Sequence, residues 1–137
     1  MEWTENFGRR GFRLAAPQWD WETRPQCSGT WGTDNCNDAS LEEVFHLVTA
    51  LGYGAAYPAV WGIGQDGRES LLTGALDKAR GGRFERPPRR YPGSAYYTYY
   101  DNTCDRSCMA VEYWWMAMAA YLDIFQYRGE DIKQEYR

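Results

Sequence analysis

The chain has 137 residues, enough for one domain with a real core, so it needs no staples merely to fold. A formal charge of -4 argues against a general nucleic-acid binder. The most apolar run, Tyr113–Leu122, is bracketed by Glu112 and Asp123 and is far shorter than the ~20 residues of a membrane-spanning helix.

Residues 1–37 lack helical periodicity and read as loops, with no internal repeat and no low-complexity tract. They open on "MEWTENFGRR", which has no apolar stretch of the kind a secretory signal needs. Two of the four cysteines, Cys27 and Cys36, lie in the Gly/Asn/Asp-rich loop "CSGTWGTDNC"; the others are Cys104 and Cys108. Neither spacing matches the short C-x2-C knuckles of structural zinc. We expect two disulfides, Cys27–Cys36 being the local pair, and hence an oxidising, extracytoplasmic or secreted setting, with any signal lying outside this chain. A bridge within one regular helical turn would strain it, so pairing of Cys104 and Cys108 with the N-terminal loop stands as the alternative to Cys27–Cys36 plus Cys104–Cys108.

The first helix is predicted over about 40–52, with Ser40 as N-cap, Glu43 three residues on completing a capping box, and Gly52 and Gly54 ending it. On a 100° wheel Leu41, Val44, Phe45, Leu47, Val48 and Leu51 form a broad apolar face, predicted to be the core face. Glu42, His46 and Thr49 lie on the other side, so His46, the only histidine, points at solvent or at a second packed element. Residues 53–67 read as a loop, and "RESLLTGALDKAR" (68–80) as a shorter helix weakened by Gly74. Five arginines fall in "RGGRFERPPRR" (80–90), read as a solvated loop with an anion or partner contact as the alternative. The tyrosines from 96 to 100 suggest a short strand. A long helix follows over about 104–127, apolar nearly all round and therefore central. The fold expected is a single, mainly α domain over 1–137, with minor strand content and a loop-rich N-terminal third.

Glu112 is the anomaly. It sits mid-helix among Val111, Tyr113, Trp114, Trp115 and Met116, where an ionised carboxylate must be hydrogen-bonded, paired or bound to a metal. The segment "EEVFH" (42–46) places Glu42 and His46 one turn apart on one face. This resembles the H-E-x-x-H helix of zinc metallopeptidases whose distant third ligand is Glu, with Glu42 standing where the first His belongs. The resemblance implies metal ligands Glu42, His46 and Glu112, Glu43 as general base, and a peptide or protein substrate. It also allows one of the tyrosines from 96 to 100 as an oxyanion donor. Zinc is the implied cofactor; two carboxylates in the ligand set make manganese, iron or calcium competitive.

A second metal pattern, Glu43-x-x-His46, is the i,i+3 pair of di-iron bundles, which needs a second histidine per site. "YYDNTCD" (99–105) carries calcium-type oxygens in Asp101, Asn102 and Asp105, but a turn and helix cap explains them. The alternative class is a non-enzymatic, disulfide-stapled extracellular binding module. It would use its aromatic surface, 17% of residues, to hold a glycan or a protein.

Overall fold

The computed structural model describes residues 40–65 and 67–123, and within them the chain is mainly helical with no sheet. The expected Cys27–Cys36 bridge, the N-terminal third expected to be irregular, and residues 124–127 lie outside these bounds. Within them the long helix expected over 104–127 runs only from Arg106 to Tyr121, with Leu122 and Asp123 in a turn and Asp123 at φ 57°. The elements are α1 (Ser40–His46), a π-helical segment π1 (Leu47–Tyr53), α2 (Gly54–Ala56), α3 (Pro58–Trp61), α4 (Leu71–Ala79) and α5 (Arg106–Tyr121). No helix among the described residues is long and apolar enough to cross a membrane.

α5 is the hub. It buries Met109, Ala110, Trp114, Trp115, Met116 and Ala119, and both α1 and α4 pack against it. Asp105, in extended backbone, caps it by accepting from the Cys108 N–H at 2.9 Å. Asp101 likewise accepts from Thr103, so the oxygens of 99–105 serve a turn and a cap. Cys104 thus sits before the helix rather than in it. The cysteines bridge each other, Cα to Cα 5.4 Å apart, and no pairing to the N-terminal loop is left for them. The bridge therefore joins the residue before the cap to the first turn and does not span a regular helical turn.

α4 follows its sequence signals closely. Ser70 accepts from the Thr73 N–H at 3.0 Å while Thr73 accepts from the Ser70 N–H at 2.8 Å, a reciprocal capping box. Leu72, Thr73, Leu76 and Ala79 are buried, spaced to face α5. The helix ends in a Schellman motif: Gly82 donates to Asp77 O and Gly81 donates to Lys78 O. Gly81 has φ +74°, and a Cβ there would meet Ser94 Oγ at 2.9 Å, so the residue type is dictated twice. The loop beyond folds back on this end, Tyr96 and Tyr97 donating to Ala79 O. It forms no ladder within the described residues, since Tyr97 carries only an isolated bridge where a tyrosine strand was expected. Tyr97 is instead a core side chain packed on Tyr113 at 5.2 Å, and the Tyr91 hydroxyl brackets Tyr99 by donating to its carbonyl and accepting from its N–H.

α1 departs most from expectation. Leu41, Val44 and Val48 are 57%, 53% and 48% exposed, whereas Thr49 is 4% exposed and His46 is almost covered. The polar side faces α5 and much of the apolar side faces outward. Phe45 still packs inward, edge-on to Trp114 at 5.9 Å and tilted on Trp115 at 5.5 Å. Past His46 the helix winds in π register. Thr49 Oγ1 donates to Phe45 O at 2.6 Å, the Gly54 N–H reaches back five residues to Thr49 O, and every later side chain rotates off the 100° wheel. The expected loop over 53–67 contains α2 and α3, where Pro58 starts a turn and Trp61 stacks on Trp114 at 4.4 Å.

Candidate metal centre

Glu42, His46 and Glu112 each offer one ligand atom, and these atoms all lie within 4.8 Å of one another. The i,i+4 spacing puts the first two on one face of α1, and α5 brings Glu112 to them from 66 residues further along the chain. The side chains are mostly covered, 11% exposed for His46 and 21% for Glu112. A tetrahedral zinc would hold its ligand atoms about 3.4 Å apart, so the group is wider than a zinc-bound one.

The two nitrogens of His46 face different carboxylates. Nε2 lies 3.9 Å from Glu112 Oε2, and Nδ1 lies 3.9 Å from Glu43 Oε2. Neither distance is a hydrogen bond. Burial pushes the imidazole down to about 4, which favours the neutral ring at pH 7. Nε2 is buried and makes no hydrogen bond. A neutral ring with a buried nitrogen directed toward carboxylates is the form in which histidine binds a cation. The group can therefore hold a metal ion.

Within the described residues the histidine meets the carboxylates expected of it, and the ligand group is formed with Glu42, not with the i,i+3 residue Glu43. Glu43 lies at the far nitrogen of the same ring. Of the tyrosines from 96 to 100, Tyr97 lies in the core, Tyr99 donates its backbone N–H to the Tyr91 hydroxyl, Tyr100 packs edge-on against Tyr91 at 5.9 Å, and Tyr96 is half exposed. Three of the five arginines in 80–90 are likewise committed to the fold. Arg80 is fully buried, Arg83 pairs with Glu69 and Glu85, and Arg86 donates to the Asn102 and Thr103 carbonyls. One feature near the site had no sequence signal: the switch to π register immediately after His46, where the Thr49 hydroxyl donates to the Phe45 carbonyl.

No family model, curated protein or solved structure matches the chain, so the centre stands on its own geometry.

Proposed function

We propose that Glu42, His46 and Glu112 bind one divalent metal ion and that the domain is a metallopeptidase-like hydrolase. The observation that carries the metal reading is His46 Nε2, buried without a hydrogen bond and 3.9 Å from Glu112 in a group of three potential ligands. Leaving a polar nitrogen in that state costs about 1–3 kcal/mol, and a bound cation removes the cost. Three protein ligands leave a coordination position open, as catalytic zinc sites do, and zinc best suits a donor set that includes imidazole. The two carboxylates also admit manganese, iron or calcium. When bound, the ion supplies Lewis acidity toward a carbonyl. The chain's own part is to hold the ligands on two packed helices and to cover them from bulk water.

Hydrolysis of peptide bonds follows from the resemblance of "EEVFH" to H-E-x-x-H helices, with Glu43 in the position of the base. The test is elemental analysis of the purified protein, followed by chelation and re-addition of zinc, manganese or calcium against a broad peptide library. Stoichiometric metal lost from His46→Ala and Glu112→Ala, with cleavage restored by an added ion, supports the proposal. Metal-free protein that takes up none of these ions sinks it.

A non-enzymatic binding module is supported by one observation. Tyr53 and Tyr57, 49% and 58% exposed, stack on each other at 6.4 Å, and Tyr53 also meets Trp114. Such a platform suits a sugar face or an apolar side chain. Metal-independent quenching of Trp fluorescence by oligosaccharides, lost in Tyr57→Ala, would favour this reading.

A further inference from the structure

The geometry points to Glu43 as a positioning residue that holds His46 through Nδ1, leaving Nε2 as the ligating atom. This rests on the metal reading above and changes the part Glu43 plays in it. An imidazole has two nitrogens on opposite flanks of the ring. Here Glu112 Oε2 stands 3.9 Å from Nε2, and Glu43 Oε2 stands 3.9 Å from Nδ1. A neutral ring carries one proton, and its place decides which nitrogen keeps a lone pair. With the proton on Nδ1, that N–H faces the Glu43 carboxylate 3.9 Å away, within reach of a small rotation to a hydrogen bond, and the buried Nε2 that makes no hydrogen bond presents its lone pair to the cation site. Histidines that bind metals recurrently donate their other N–H to a carboxylate, which fixes both tautomer and ring orientation. A general base must instead reach the substrate side of the ion. Glu43 lies across the imidazole from there, one turn before His46 on the same helix.

The chain contains a single histidine, so a spectrum of protein labelled with 15N in the imidazole reports this ring alone. In the metal-free protein we expect the Nδ1–H form to dominate, and in Glu43→Ala both tautomers to appear. Zinc titrated against a chromophoric chelator should bind Glu43→Ala about 10- to 100-fold more weakly than the parent. Glu43→Gln, whose amide oxygen offers Nδ1–H an acceptor in the same place, should restore most of that affinity and the single tautomer. Far-UV circular dichroism of both variants separates these effects from a loss of helix.

The Nε2–H form in the parent, or zinc bound through Nδ1, would overturn the assignment. So would a Glu43→Ala protein with parental affinity and tautomer. A Glu43→Gln protein that keeps its zinc and Nδ1–H but loses peptide cleavage by about 100- to 10,000-fold would return Glu43 to the base. If the parent takes up no zinc yet shows an Nδ1–H form that Glu43→Ala loses, the metal reading fails and the positioning role stands.

Discussion

Helices α4 and α1 both pack against α5, and both carry ionisable side chains into the contact. On α4 the charges are answered within the fold. Asp77 accepts from Arg106 Nη2 at 2.6 Å and from Arg80 Nη2 at 2.9 Å, and Glu69 accepts from Arg106 at 2.8 Å. Arg80, fully buried, also donates to the Phe84 carbonyl and lies over the Phe84 ring at 5.5 Å. The acid partners hold the Arg106 guanidinium's proton more firmly than usual. On α1 a neutral imidazole meets Glu112 and Glu43 at 3.9 Å each, with Nε2 making no hydrogen bond. The first cluster pairs its charges with one another, although Arg80 Nε, like His46 Nε2, is buried without a hydrogen bond. The second turns an amphipathic helix polar-side-in and leaves its central nitrogen unsatisfied, the kind of local conflict that folds tolerate where a ligand resolves it.

The sharpest way to break this comparison is His46→Leu. It should abolish metal binding outright, as followed by elemental analysis. In the metal-free state it should leave the urea midpoint unchanged or raise it, by up to about 1–3 kcal/mol, because it removes a buried polar atom without a partner. A destabilisation of that size would show that His46 is needed by the fold itself, and the contrast with α4 would vanish.

Asp77→Ala is the matching experiment on the other side. It leaves Arg80 and Arg106, 0% and 6% exposed at the side chain, without their shared carboxylate. The expected loss is about 3 kcal/mol in urea denaturation, with metal stoichiometry untouched. Loss of metal together with stability would mean that the two contacts with α5 are one cooperative unit.

How far each region could be read in advance follows from the same difference. α4 was legible as a short helix over 68–80, and the structure adds its Ser70 cap and its inward face of Leu72, Leu76 and Ala79. Glu112 was legible as an anomaly because nothing in "AVEYWWM" explains a carboxylate. The orientation of α1 was not. A wheel separates two faces but does not say which one meets a partner, and the deciding contact, His46 with Glu112, joins distant segments. The π register was hidden too, since nothing in the residue pattern of 47–53 distinguishes it from an α-helical turn. Arg80 resembles an ordinary surface pair with Asp77 three residues before it; its burial comes from Met109 and Phe84, which only the fold assembles.

A smaller effect separates the helix ends. Hydrogen bonds from the Ser107 hydroxyl and then the Cys108 N–H hold the Asp105 carboxyl below the usual carboxylate range. With its folded value depressed, Asp105 contributes stability that is fully present above the unfolded value, near 3.9, and is lost as pH falls through the folded one. Asp105→Ala should therefore cost about 1 kcal/mol at neutral pH, with the gap to the parent narrowing below about pH 4. Ser70→Ala, at the neutral cap of α4, should cost a similar amount at both pH values. Urea titrations at pH 7 and pH 3 compare the two; a pH-independent Asp105→Ala penalty would show that the cap works without its charge.

The smallest effect tests the outward face of α1. Val44 is 53% exposed and stands between Leu41 and Val48 on the apolar side, away from the metal ligands. Val44→Thr keeps the β-branched shape and adds a hydroxyl. On a face open to water this should change stability by no more than about 0.5 kcal/mol. Burying the hydroxyl without a partner would instead cost about 1–3 kcal/mol. Thr49 supplies the internal contrast: at 4% exposure its hydroxyl is engaged with the Phe45 carbonyl, so Thr49→Val should lose a buried hydrogen bond worth about 1 kcal/mol and release that carbonyl. If the two substitutions reverse in rank, Val44 costing more than Thr49, the apolar side of α1 is its buried side. Glu42 and His46 would then turn away from α5, and the metal centre would come apart with them.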